Sequence, residues 1–416
     1  MGELMRQYWL PLLPVDKLDG PDGDPQRTRL LGEDLVLFRD SSGKIGLFAE
    51  NCPHRGASLF FGRNEEGGIR CVYHGWKFDT AGNCVDMPSE PDESNFKDKV
   101  RARAYAAVEH GGVIWAYMGK GTPPGLPQFE WTLVPAEQRD MALDQRSCNW
   151  LQGLEGDIDT SHLFFLHGRL HPSDPASFGV WHDDKHPHLE VVPTDYGVVY
   201  GANREENDWT TYWRITQFLF PIFALFPQAP DGTVPGHIWV PMDDTHTMAW
   251  TIAWHPTKTM AELGRTYMQT PDGPGGALLP DNSSSLGRFR PRARAENDYE
   301  INRNLQRTKT YTGIGSVFLQ DQAVTESMGA IQDRTIEHLG TSDGMIIQVR
   351  RRLLAAMNAL ADDGVPPPCV ENPGVYKVRS CVATLAKGAS WQTELHDWLY
   401  ALTNEQPSLD LQYVTS

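Results

Sequence analysis

Metal-binding side chains fall into two groups along this chain. The first lies in NCPHRGASLFFGRNEEGGIRCVYHGWKF, where Cys52-x-His54 is followed, sixteen residues on, by Cys71-x-x-His74. Thiolate and imidazole together suit a zinc ion, or a [2Fe–2S] cluster in which both His bind one iron and both Cys the other. The plainer alternative is two buried cysteines with incidental histidines. Zinc knuckles usually pair like ligands, Cys-x-x-Cys with His-x-x-x-His. Here each loop offers one Cys and one His, as a cluster needs if each iron takes one ligand from each loop. Pro53, Arg55-Gly56 and Gly75-Trp76 make compact loops able to shield a cluster and turn backbone N–H groups toward it.

The second group is Asp159, His162 and His167 in NWLQGLEGDIDTSHLFFLH. Asp159 and His162, three apart, share a face of a helix. His162 and His167, five apart, are rotated by about 500° on a regular helix and diverge. Both reach one metal only if the helix ends, kinks or bulges between Leu163 and Leu166. Histidines among Leu and Phe are otherwise hydrogen-bonded core residues. Two His with one carboxylate make the facial set that holds non-heme Fe(II), an electron acceptor for a cluster.

With both groups in view, the sequence resembles the Rieske non-heme iron oxygenases, whose cluster motif is C-x-H followed by C-x-x-H after a similar gap. FLQDQAVTESMGAIQDRTIEHLGTSD resembles the late helix that carries the family's third iron ligand, here Asp321, with Glu326 and Asp333 as rivals. The run ESMG, DR, EHLGTSD points to the branch of phthalate, phenoxybenzoate and chlorobenzoate dioxygenases and aromatic O-demethylases. The resemblance covers nearly the whole chain, most weakly over residues 164–214 and beyond Pro368. It implies a bridging role for Asp159, joining His162 to His74 of a neighbouring chain. A carboxylate accepting N–H from both imidazoles would fix their tautomers. It also implies a homotrimer or hexamer, and a separate reductase that passes NAD(P)H electrons to the cluster.

The elements that must hold these groups are of two kinds. From Leu30 to Tyr117, LLGEDLVLFRD, KIGLFAE, IRCVYHGWKF and GGVIWAYMG read as short strands separated by Ser42-Gly43, Gly67-Gly68 and Gly111-Gly112. The Pro/Gly-rich stretch Gly121 to Glu130 marks a boundary. Beyond it, Leu151 to Leu166 is helical in composition. Strand-like runs follow at LEVVPTDYGVVYGA, TTYWRITQFLF, GHIWVPM and TMAWTIAWHP. An irregular loop spans Pro271 to Arg294, and helices follow over Val317–Leu339 and Met345–Ala361, the second stopped by Gly364 and Pro366–Pro368. Tyr212, Arg214, Thr216, Phe218 and Phe220 share a strand face, so Arg214 is a candidate for a substrate carboxylate, with Arg204 a second.

Other features carry less. His182, His186 and His188 sit in a loop with Pro187, and solvation explains them. Arg288, Arg290, Arg292 and Arg294 belong to a surface loop that could dock an acidic partner. Glu155 and Asp157 read as surface carboxylates near a helix start, and Asn149 as a turn residue or an outer donor to the iron site. Cys84, Cys148, Cys369 and Cys381 lack paired spacing and read as free thiols.

With 37 basic and 54 acidic residues the net charge is −17, which argues against nucleic acid or an anionic membrane as a partner. An apolar fraction of 40% excludes global disorder, and six cysteines in 416 residues are too few for a disulfide scaffold. No targeting segment or membrane-length apolar run is apparent, so the expectation is a cytoplasmic protein. The expected fold class is α+β: residues 1–125 an all-β Rieske domain, residues 126–416 a helix-grip (START-like) catalytic domain with an antiparallel sheet. The expected activity is hydroxylation or O-demethylation of an aromatic compound, an aromatic carboxylate above all, with O₂. The other class of reading is a Rieske electron carrier or redox sensor without oxygenase activity.

Overall fold

The computed structural model describes residues 1–91, 93–171, 174, 185–227, 231–264 and 277–405. Two compact units emerge. One comprises Met1–Leu126 with Pro241–Asp243 and Pro280–Arg288; the other takes Pro127–Val240, Asp244–Leu279 and Phe289 onward.

The first unit is built from strands of three to seven residues. Six of them form an antiparallel sheet in the order Trp9–Pro14, Val113–Tyr117, Ala104–His110, Ile45–Ala49, Glu33–Arg39, Gln26–Leu30. A second, four-stranded sheet runs Arg63–Glu65, Gly68–Arg70, Lys77–Asp79, Cys84–Asp86. IRCVYHGWKF, expected as one strand, is therefore two strands with a loop between them. Its first pair closes with Arg70 opposite Lys77, and residues 71–76 bulge out of the ladder. Phe38, Phe48, Leu59, Ile69, Trp76 and Phe78 form a core that also contains Cys52 and Cys71. The donor loops are thus anchored in the apolar interior by their own cysteines.

The second unit holds an antiparallel sheet in the order Arg139–Arg146, Thr247–Trp254, Val234–Pro241, Phe223–Leu225, Thr210–Leu219, Gly197–Glu205, His188–Pro193, with Cys381–Ala386 also paired to Thr210–Leu219. Nearly every residue of its central strands is buried, because helices cover the face that would otherwise meet water. The long helix Gly344–Asp363 packs on Gly197–Glu205 and ends at Gly364, whose φ of +68° is the left-handed stop expected of it. This is the expected α+β, helix-grip class.

Two helices are shorter than expected. The late helix runs Val317–Ser327, not to Leu339. It stops at Gly329, φ +95°, where Gln152 Nε2 takes up the carbonyls of Thr325 and Gly329 at 3.0 and 2.9 Å. The run Leu151 to Leu166 is likewise two pieces, Trp150–Asp157 and the single turn Leu163–Leu166, with residues 158–162 between them. Asn149 caps the first piece through Oδ1 to Leu151 N, which settles it as a turn residue.

Candidate functional site

In the first unit the two donor loops are twins. Gly56 N bonds to Cys52 O at 2.9 Å, and Gly75 N to Cys71 O at 3.0 Å. Each glycine sits four residues after its cysteine, with φ of +76° and +77°. That left-handed corner is open to glycine at little cost, and it lets each loop close on itself beside a strand. Like donors meet across the loops. The His54 and His74 rings lie 4.3 Å apart, and the Cys52 and Cys71 side chains interact directly. Each of two irons would then take one ligand from each loop.

The residues fit such a cluster. His54 Nδ1 is buried without a protein hydrogen bond, a cost of ~1–3 kcal/mol unless something coordinates it. The ring is held flat against Trp76, 4.3 Å centre to centre. Burial, with Cys71 adding to it, pushes the Cys52 thiol up to about 11 despite a hydrogen bond from the His54 backbone. A thiolate at that position needs a metal cation to neutralise it.

In the second unit His162 and His167 stand at opposite ends of the Leu163–Leu166 turn. The expected break between Leu163 and Leu166 is absent: the turn is regular, Leu166 N bonding His162 O at 2.8 Å, and both histidines flank it in helical backbone, so it is their side chains that converge. Their Nε2 atoms are 3.2 Å apart, and Asp321 Oδ1 lies 3.8 Å from His162 Nε2 and 3.4 Å from His167 Nε2. Three donors each ~2.1 Å from one ion lie ~3–3.6 Å from one another, so this triangle has the size of a metal site. Among the described residues it is the one trio of His, Cys, Asp or Glu whose ligand atoms all lie within 4.8 Å.

The rings are oriented from behind. His167 Nδ1 bonds Gln320 Oε1 at 2.7 Å, and Gln320 is itself fixed by donating Nε2 to Ile314 O. Gln320 has no acidic group, so its Oε1 must accept and His167 Nδ1 must carry the proton. On the other side, His162 Nδ1 is 3.4 Å from Asp159 Oδ2. Burial alone would raise the Asp159 carboxyl, but the bond and charge of His162 outweigh it and hold it below its usual range. Burial likewise opposes ionisation of Asp321, and His167 and His162 overcome it. Both rings so present Nε2 to an anionic oxygen.

Glu326 and Asp333 are elsewhere. Glu326 accepts from Ser147 N and Tyr299 Oη, and Asp333 caps the turn at Thr335. Glu155 and Asp157 are not surface carboxylates. Glu155 is 8% exposed and, with Glu337, clamps Arg334 and Arg350. Arg334 of the DR run and Glu337 of the EHLGTSD run belong to this clamp. Asp157 accepts His237 Nδ1 at 2.7 Å and Trp239 Nε1 at 2.5 Å.

A cavity of about 270 Å³ opens beside the three donors, walled by Phe226, Trp239 and Phe318 with Arg146, Arg214 and His237 as its polar edge. Arg214 lies on the strand face expected of it, with Thr216, while Nη2 donates to Pro227 O at 2.7 Å. Arg204 is not in the wall; it is buried and reaches Thr160 O at 3.4 Å. Sequence reasoning missed Arg146, His237 and Gln320. Only His237 leaves a trace, as a polar residue alternating with Trp239 in an apolar strand. His182 and residues 271–276 lie outside the described residues; His186 and His188 are exposed, and Arg292 and Arg294 pair with Glu300 and Glu296. All six cysteines are free of disulfides. No described helix is long and apolar enough to cross a membrane.

Comparison with known proteins agrees with this geometry. Residues 8–103 match the Rieske [2Fe-2S] domain, and residues 116–413 the LigXa C-terminal domain like family. The chain is 42% identical to the 3-chlorobenzoate-3,4-dioxygenase oxygenase subunit of Comamonas testosteroni, covering 94% of this chain and 93% of the relative. It is 37% identical to the phthalate 4,5-dioxygenase oxygenase subunit of Pseudomonas putida, covering 97% and 92%. Its fold matches dicamba monooxygenase bound to dicamba, with TM-score 0.58 and 16% identity over 84% of this chain and 96% of that one. With two matched domains, and relatives of this likeness along nearly its whole length, the chain belongs to the Rieske non-heme iron oxygenases, whose terminal components carry a [2Fe–2S] cluster and a mononuclear iron.

Proposed function

We propose that this oxygenase hydroxylates or O-demethylates an aromatic carboxylate, with Cys52, His54, Cys71 and His74 holding the cluster and His162, His167 and Asp321 the iron. When bound, the cluster supplies single electrons and the iron activates O₂. The observation that carries the substrate reading is the cavity itself. Aromatic walls suit a ring, and a buried guanidinium, Arg214, suits a carboxylate as a charge-assisted, two-point partner. The chain's net charge of −17 repels an anion at long range, so such a substrate needs a local cation. The printed names of the relatives, chlorobenzoate and phthalate dioxygenases, support the same class.

In this reading Asp159 keeps the His162 proton on Nδ1 and turns a carboxylate oxygen toward His74 of an adjacent subunit, in a homotrimer or pair of stacked trimers. A separate reductase oxidises NAD(P)H, and the protein works in the cytoplasm. A carrier or sensor would have no use for a second donor triangle beside an aromatic cavity.

Arg214→Gln tests the substrate reading. Loss of a charged hydrogen bond is worth ~1.5–3 kcal/mol, or about 10–150-fold. We expect KM for benzoate to rise by that factor in steady-state O₂ uptake with a reductase, while anisole turnover holds within about twofold. Equal losses on both compounds would sink it.

A further inference from the structure

The cavity contains a second recognition element. His237 and Trp239 alternate on the strand Val234–Pro241, so both face the same side of the sheet. Asp157, at the end of the Trp150–Asp157 helix, receives both: His237 Nδ1 on Oδ1 at 2.7 Å, Trp239 Nε1 on Oδ2 at 2.5 Å. A carboxylate that also accepts the indole N–H has only acceptors left for the imidazole. The proton of the neutral ring therefore stands on Nδ1, and Nε2 keeps its lone pair. His237 is 8% exposed, lines the cavity, and has no protein partner on Nε2 among the described residues. Phe226 and Phe318 flank the ring at 4.7 and 6.1 Å.

We infer that His237 is a specificity-determining residue that accepts a hydrogen bond from an O–H on the substrate ring, with Asp157 and Trp239 positioning it. The ligand class is a hydroxylated aromatic. This rests on the aromatic reading above and divides the work within it: Arg214 takes the anion, His237 the hydroxyl. An acceptor left bare when a substrate lacks the hydroxyl remains desolvated, which is how a buried site discriminates.

Equilibrium binding to the anaerobic holoenzyme, followed by titration calorimetry, tests this with matched pairs. The three hydroxybenzoates are each compared with the methoxybenzoate of the same position, and with benzoate. The best-bound hydroxybenzoate should bind about tenfold more tightly than its methoxy partner. His237→Phe should erase that ratio and let benzoate bind more tightly than in wild type, because no acceptor is then left bare. Asp157→Asn is the sharper variant. Its Oδ1 can still accept Trp239 Nε1–H, but its Nδ2 donates to His237 Nδ1 and drives the ring proton to Nε2. The preference should then fall to one or invert toward the methoxy ether, which a merely structural role of Asp157 would not produce. Near-normal cluster absorbance and melting temperature would certify both variants as folded.

A ratio that survives His237→Phe, or one below about twofold in wild type for all three isomers, overturns the inference. So does a loss of benzoate affinity in His237→Phe as large as in Arg214→Gln, because His237 would then be a second carboxylate donor. If benzoate does not bind wild type at all, the carboxylate reading has failed by itself. The pair phenol and toluene then carries the His237 test, with the same expected tenfold preference and the same two variants.

Discussion

Four donors of the first unit come from residues 52–74, on two loops that repeat one backbone pattern, Cys to Gly in five residues with a left-handed corner. Three donors of the second unit come from positions 162, 167 and 321, on a lone helical turn and a distant helix. The loops are self-sufficient: each closes its own hydrogen bond and buries its own cysteine. The triangle has no local basis. His162 and His167 flank one regular helical turn and converge only through their side chains, and Asp321 is brought to them by the Val317–Ser327 helix, which packs on Trp150–Asp157. A local metal site and a tertiary one should therefore fail in different ways.

Removing one donor from each gives the largest expected effects. Cys71→Ser should abolish the visible absorbance of the cluster and leave about one iron per chain, whereas Asp321→Ala should leave about two irons and an unchanged cluster spectrum. Turnover should fall at least 10³-fold in both. Iron analysis with the absorption spectrum separates them. If Asp321→Ala also erased the cluster band, the two sites would not be independent and the contrast would break.

An intermediate effect is expected at Asp159, which in the proposed assembly links the two kinds of site. Asp159→Asn should leave both metals bound and the subunit count by light scattering unchanged, yet lower turnover by 100-fold or more. Outer-sphere partners of metal histidines typically matter 10–100-fold for metal affinity or activity, so a larger loss with full metal content marks a role beyond orienting His162. Activity near wild type would reject the bridging role.

This contrast also sets what the sequence made legible. The paired loops that carry Cys52, His54, Cys71 and His74 were legible from spacing because their geometry is local. Strands such as Glu33–Arg39, Ile45–Ala49, Val113–Tyr117, Thr210–Leu219 and Thr247–Trp254 followed from apolar runs bounded by turn residues, whereas Trp9–Pro14, Ala104–His110, Arg139–Arg146 and Cys381–Ala386 were not read. His162 and His167 were visible only as a conditional pair. Spacing on a regular helix sends them apart, and the turn between them in the structure is regular, so no pattern around them announces that their side chains meet. The late helix was overextended because Gln152, far away in sequence, supplies its stop. Asp157 and Glu155 were misread for the same reason: a carboxylate near a helix end looks solvated until the His237 and Arg350 that bury it are placed. Asp321 came from family likeness and not from any pattern around it.

The smallest expected effect lies within the twin loops and asks how alike they are. Gly56 and Gly75 share a φ near +77°, so an alanine at either pays the left-handed penalty of ~1–2 kcal/mol. The surroundings differ. A Cβ on Gly56 would meet nothing within 4 Å, whereas one on Gly75 would stand 2.7 Å from Pro88 Cγ, part of a ring that cannot rotate away. Overpacking of that kind adds ~1–3 kcal/mol. Gly56→Ala should therefore lower Tm by a few degrees, and Gly75→Ala by about twice as much, at ~2–4 °C per kcal/mol for a unit of this size or larger. Calorimetric melting of the two holoproteins makes the comparison. Gly75 also precedes Trp76, which packs on His54, so strain there should blue- or red-shift the cluster absorbance in Gly75→Ala and leave it in place in Gly56→Ala. Equal melting temperatures and equal spectra would mean that Pro88 yields, and that the loops are twins in energy as well as in backbone.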